Sequence, residues 1–145
     1  MKKKFSTKWK GSRQPRKQRK YSANAPIHIK RKFVSVNLSK ELRKKYGKRN
    51  VPAVKGDSVK IMRGKFKKKN GKVESVIGKS GKIYVEGIQA TKQDKSKVNV
   101  PLRASNLQIT ELNLNDKKRL NSLERKQNKK ENKERKNAPE KTKNS

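Results

Sequence analysis

The sequence predicts a mainly β protein: a small barrel with a basic amino-terminal extension and a charged carboxyl-terminal helix and tail. Three observations carry that prediction. Apolar and polar residues alternate in several short runs between Val51 and Ile109, the period of half-buried strands. Glycines at 56, 64, 71, 78, 81 and 87 punctuate those runs and suit the turns between them. Only 28% of the 145 residues are hydrophobic, too few for a core along the whole chain, so one small domain with extensions is expected.

Within the expected barrel, residues 51–112, strands are predicted at Ser58–Arg63, Lys72–Ile77, Lys82–Gly87, Lys97–Val100 and Asn106–Ile109. Val59 and Ile61 alternate with polar neighbours, as do Ile83 and Val85. Asn70-Gly71 offers residues that tolerate positive φ, and Gly78-Lys79-Ser80-Gly81 makes a tight hairpin. The polar run Thr91–Lys97 reads as a mobile connection.

Residues 1–50 form the expected extension. Its best-marked element is the run from Leu38 to Gly47, a short helix near 39–46. Ser39 can cap its free amides, Glu41 suits the positive end of the dipole, and Gly47 can close it in the left-handed conformation. Leu38, Leu42 and Tyr46 recur every four residues and give it one apolar face. A helical turn is expected from Pro26 to Lys32, with Ile27 and Phe33 as its apolar contacts. In residues 113–145, Asn115-Asp116 can start a helix carrying Leu120 and Leu123. Beyond it, mixed charges at helical spacing such as Glu131 and Arg135 read as an exposed helix fraying into a tail.

The charge balance selects the partner. The chain holds 45 Lys and Arg against 11 Asp and Glu, a formal net charge of +34. Residues 1–40 contain fourteen bases and no acid. Phe5, Trp9 and Tyr21 stand among them as isolated aromatics, a mixture that suits an arm neutralising phosphates and stacking on exposed bases. The candidate contacts in this arm are Lys8, Trp9, Lys10, Arg13, Arg16, Lys17, Arg19, Lys20 and Lys30. For Trp9, packing on the domain competes with base stacking. His28 reads either as a hydrogen-bonded structural or surface histidine or as a phosphate or base contact.

A second cluster lies in Gly56–Val76, where Lys65, Lys67, Lys68 and Lys69 crowd into five positions between two strands. Like charges on so short a connection repel one another, which points to an anionic partner. No apolar run approaches the roughly 18 residues of a spanning helix, so membrane insertion is not expected. The amino terminus is basic without an apolar h-region, so an internal, reducing compartment is expected.

Chemistry is excluded by what is missing. The chain has no cysteine and one histidine, and neither a Walker loop, a dinucleotide fingerprint, a nucleophile elbow nor a metal-ligand cluster occurs. No cofactor is expected. Asp57 and Glu74 flank the basic loop and read as charge partners for lysines rather than an acid–base pair.

GDSVKIMRGKFKKKNGKVESV (residues 56–76) resembles a KOW motif, the strand–loop–strand half of an SH3-like barrel. The flanks KQRKYSANAPIHIKRKFVSVNLSKELRKKYGKRNVPAVKGD and VNVPLRASNLQITELNLNDKKRL are similar to those of the archaeal and eukaryotic L24 (universal uL24) family of large-subunit ribosomal proteins. The resemblance spans about residues 15–126. It implies a cytoplasmic, ribosomal protein that binds the 5′ region of large-subunit rRNA early in assembly. It also implies a place beside the peptide tunnel exit, among neighbouring ribosomal proteins and exit factors. By position, the family's RNA-facing loop corresponds to Arg63, Lys65, Lys67, Lys68, Lys69 and Lys72, and its rRNA-entering segment includes His28, Arg31 and Lys32. One departure stands out: Lys68 occupies a place where the motif usually has glycine.

Two other functions fit part of the sequence. A KOW-containing transcription elongation factor would need an α/β domain upstream, which 50 basic residues do not supply. A non-specific nucleic-acid packing protein would have no need of an ordered barrel and loop.

Overall fold

The computed structural model describes residues 4–125. The predicted charges from Glu131 onward lie outside them.

The chain begins with a 3-10 turn, Thr7–Gly11, followed by helix α1, Pro15–Asn24. Pro15 sits at the first helical position, where its missing N–H costs nothing. Gln18 ties the two together: its Nε2 donates to the Ser12, Trp9 and Lys10 carbonyls at 2.6, 3.0 and 3.2 Å. Helix α2 spans Ile27–Phe33, matching the expected turn. Its apolar ends are not buried as expected: Ile27 is 56% exposed and Phe33 44%. Phe33 instead meets Tyr21 at a tilt, and Tyr21 stacks on Phe5 with ring centroids 5.2 Å apart. Two of the three aromatics expected to stand isolated, Phe5 and Tyr21, are therefore engaged with each other.

Strand β1, Ser35–Leu38, precedes helix α3, Lys40–Tyr46. The predicted caps form. Ser39 Oγ accepts from the Leu42 N–H at 3.3 Å, and Gly47 closes the helix at φ 59°. Leu38 is fully buried but belongs to β1 rather than to the helix. The remaining strands are β2 Asn50–Pro52, β3 Ser58–Ile61, β4 Asn70–Ile77, β5 Lys82–Val85, β6 Gln89–Thr91, β7 Lys97–Asn99, β8 Leu102–Arg103 and β9 Leu107–Glu111. All five predicted strands are present, and β1, β2, β6 and β8 add to them.

Seven strands hydrogen-bond in the order β2-β1-β9-β3-β4-β5-β8. The β1–β9 pair is parallel, and the other neighbours run antiparallel. The sheet ends at β2 and β8 without closing, which corrects the expectation of a closed barrel: the fold is a mixture of strands and short helices, mostly strands. Bulges at Ser58/Val59 and Val73/Ser75 interrupt the registers and bend such a sheet. The run Thr91–Lys97 is not a loose connection, because β6 and β7 pair as a two-stranded ribbon. At its tip Asp94 Oδ1 accepts from Ser96 Oγ at 2.6 Å and from the Ser96 N–H at 3.1 Å.

The core lies on one face of the sheet. Val36, Val59, Ile61, Ile83, Val85, Leu107 and Ile109 are almost wholly buried, and the alternating burial along β3 and β5 is the predicted one. Gly71 is not a turn residue as expected, but lies within β4 at a negative φ. A Cβ there would meet Val85 Cγ1 at 2.7 Å and the Glu86 carbonyl oxygen at 2.8 Å. Close approach of β5, rather than backbone freedom, demands glycine.

The carboxyl-terminal segment packs on the same body. Asp116 caps a helix, α4, described over residues 117–125, through Oδ1 to the Lys118 N–H at 2.8 Å. Leu123 on that helix is 1% exposed.

Candidate nucleic-acid interface

The predicted contacts fall into two groups that the fold holds apart. The first is the connection between β3 and β4, which carries Arg63, Lys65, Lys67, Lys68 and Lys69, all exposed. Lys72 follows on β4, also exposed. Backbone hydrogen bonds order this connection: the Lys67 N–H donates to the Gly64 carbonyl, Lys68 to Ile61 and Lys69 to Phe66, at 3.0, 2.8 and 3.2 Å. Phe66 packs against the core and anchors the loop from below. Lys69 Nζ lies 5.5 Å from its ring centroid, within reach of a cation–π attraction.

Lys68 adopts φ 73°. The position where a glycine was expected does need left-handed backbone, and a lysine there bears a strain of about 1 kcal/mol. Among the described residues, no carboxylate comes within ion-pair distance of Lys65, Lys67, Lys68 or Lys69. Among the described residues, no internal partner therefore meets the cost of crowding these charges.

The second group is the arm. Lys8, Trp9 and Lys10 stand on the 3-10 turn, with Arg13 just beyond it. Arg16, Lys17, Arg19 and Lys20 lie on α1, and His28, Lys30, Arg31 and Lys32 on α2. Trp9 is half-buried, Lys30 partly so, and the others are exposed. Lys30 Nζ donates to the Ala23 carbonyl at 3.0 Å, fastening α2 to α1. Among the described residues no group of three or more His, Cys, Asp or Glu could hold a metal, and no helix is long and apolar enough to cross a membrane.

Helix α2 rests at the far end of β4 from the loop. A Cβ at Gly78, just past β4, would lie 3.7 Å from Ile27 Cδ1. Eight residues of strand thus separate the β3–β4 loop from helix α2, roughly 25 Å of extended chain.

The acids near the loop do not serve its lysines. Glu74 Oε2 accepts from Asn99 Nδ2 at 2.8 Å. Asp57 is fully buried and pairs with Arg119, which replaces the expected lysine partners.

Residues 12–126 match the family model that describes the eukaryotic ribosomal proteins L26 and their archaeal L24 counterparts. The chain belongs to that family of ribosomal proteins. Among its curated relatives, the large ribosomal subunit protein uL24 of Methanosarcina barkeri (strain Fusaro / DSM 804) is 45% identical over 114 residues, covering 79% of this chain and 98% of the relative. The protein of the same name from Methanosphaera stadtmanae is 45% identical over 115 residues, with the same coverage. Family membership makes this a ribosomal, non-enzymatic protein, and it accounts for the +34 charge that no internal acid balances. Both basic groups fall within the matched span except Lys8, Trp9 and Lys10.

Proposed function

We propose that the chain is a structural constituent of the large ribosomal subunit that binds the 5′ region of large-subunit rRNA. In this reading it acts early in assembly and sits near the polypeptide tunnel exit in the cytoplasm, beside other large-subunit proteins and within reach of exit factors. The bent sheet around the KOW motif serves as its SH3-like unit.

One observation carries the proposal: five exposed cations on an ordered loop, anchored by Phe66, with no carboxylate in ion-pair range among the described residues. A fixed array of positive charge that the protein itself leaves uncompensated suits the phosphates of a folded RNA. Residues of the arm, including Trp9, His28, Arg31 and Lys32, extend the contact to a second RNA segment. The relatives' name, large ribosomal subunit protein, supports the same partner.

The test is a gel-shift titration with large-subunit rRNA. Changing Lys65, Lys67, Lys68 and Lys69 together to Glu is expected to abolish binding. Unchanged affinity would remove the loop from the interface. A preference for duplex DNA over folded rRNA in competition would favour the packing protein instead, and loss from large subunits in a moderate salt wash would count against a structural role.

A further inference from the structure

The arm and the sheet enclose a second basic hollow, separate from the β3–β4 loop. It has a volume of about 390 Å³ and is walled by α1, α2, the β4–β5 turn, and β8 with the 3-10 turn after it. Its cations come from distant parts of the chain: Lys30 from α2, Lys79 and Lys82 from the β4–β5 hairpin, and Arg103 from β8. None of the residues lining it is acidic.

Two features point to a ligand. Lys82 and Arg103 stand directly opposite each other in the β5–β8 register. Like charges in that relation weaken a strand pair, and an anion in the hollow would reverse the effect. Phe33 contributes to the same wall and is 44% exposed, and its ring also meets Tyr21 at 5.7 Å between centroids. An open aromatic ring beside a cluster of cations asks for a partner that is flat at one end and anionic at the other. The hydroxyls of Ser22, Ser80 and Ser105 add hydrogen-bonding capacity around the rim.

We propose that this hollow receives one unstacked nucleotide of the bound RNA, its base against Phe33 and its phosphate among Lys79, Lys82 and Arg103. The assignment rests on the RNA-binding reading above and adds a built subsite to it. A regular duplex would offer phosphates alone and leave the ring uncovered, whereas single-stranded loops and bulges present bases that stack on aromatics. The hollow lies at the end of β4 opposite the basic loop. The two therefore grip different stretches of RNA, and the protein braces one against the other.

The test uses the full chain and large-subunit rRNA, with filter binding for affinity and base-reactive chemical probing at nucleotide resolution. Lys79→Gln with Arg103→Gln, both at exposed positions, is expected to weaken binding roughly tenfold or more with an unchanged circular dichroism spectrum. Phe33→Leu is expected to expose one base to the probe while the protections due to the basic loop persist. Lys44→Gln with Lys117→Gln removes the same charge elsewhere and is the comparison. A pocket pair that loses no more affinity than that comparison overturns the subsite, as does Phe33→Leu with every base still protected. If the unaltered protein itself fails to bind the RNA, the broader reading falls and takes the subsite with it.

Discussion

Arg119 grips both carboxylate oxygens of Asp57, Nη1 to Oδ1 and Nη2 to Oδ2, each at 2.7 Å, across 62 residues of chain. Asp57 also accepts from the Val54 and Asn113 N–H groups at 2.9 Å each. Arg119 in turn donates to the Asn113 and Pro52 carbonyls. The pair pins the carboxyl-terminal segment to the turn before β3. Because both groups are buried, Arg119→Ala strands an uncompensated carboxylate and is expected to cost about 3–5 kcal/mol. Replacing both, as Asp57→Leu with Arg119→Met, removes the stranded charge but leaves the Val54 and Asn113 N–H groups without their acceptor, so only part of that loss should return. Urea unfolding of the two variants beside the unaltered protein checks it, and a double variant as unstable as the single one would refute the argument.

Lys68 separates stability from binding. Changing it to glycine relieves the strain at φ 73° and is expected to raise unfolding stability by about 1 kcal/mol. The same change removes a cation from the loop and should lower affinity for large-subunit rRNA. Lys68→Ala keeps the strain and loses the charge, so it reports the relief of repulsion alone and should gain less stability than the glycine variant. Denaturant melts beside a binding titration read both effects.

Gly71→Ala should be more harmful than its size implies. The added carbon would lie 2.7 Å from Val85 Cγ1 and 2.8 Å from the Glu86 carbonyl oxygen. Overpacking of this kind costs about 1–3 kcal/mol, and here one obstacle is backbone. A thermal melt unchanged by the substitution would show that β5 can retreat.

Asp94 offers a pH test of the β6–β7 ribbon. The Ser96 hydroxyl, and after it the Ser96 N–H, hold its carboxyl below the ordinary 3.8. A depressed carboxylate contributes stability that is present above the unfolded value and is lost as pH falls through the folded one. The ribbon tip should therefore be indifferent to pH near neutrality and loosen only in acid below about 3.8. Ser96→Ala should move the Asp94 titration upward in a carboxyl NMR experiment, and an unmoved titration would show that the hydroxyl is not the cause.

Sequence signals are clear wherever short-range chemistry decides the outcome. Ser39 and Gly47 mark both ends of α3 because capping involves residues a few positions apart. The loop at Lys68 follows from the spacing of the two strands that it joins. Long-range pairing leaves fainter traces. Leu38 shares a helical spacing with Leu42 and Tyr46 yet belongs to β1, whose alternation of Val36 and Leu38 is the competing signal. Helix α1 is hard to anticipate because its support is Gln18 reaching back to three carbonyls, a contact that no periodicity announces. Asp57 reads as one more surface acid among lysines, since nothing in its neighbourhood names an arginine 62 positions away. The hollow at Lys79, Lys82 and Arg103 is hidden for the same reason: its cations meet only after β5 and β8 pair.

The parallel pairing of Ser35–Leu38 with Leu107–Glu111 also governs when the protein can become itself. A strand of the early chain has no neighbour on that side until the last strand has been made, and such distant pairings form slowly. During synthesis the acid-free first forty residues emerge well before the sheet that organises them. In that interval they are an indiscriminate polycation, able to cling to any RNA at hand. Completion of β9 ends the interval, because β1 then gains its second neighbour and the chain that leads into it is tied to a finished sheet.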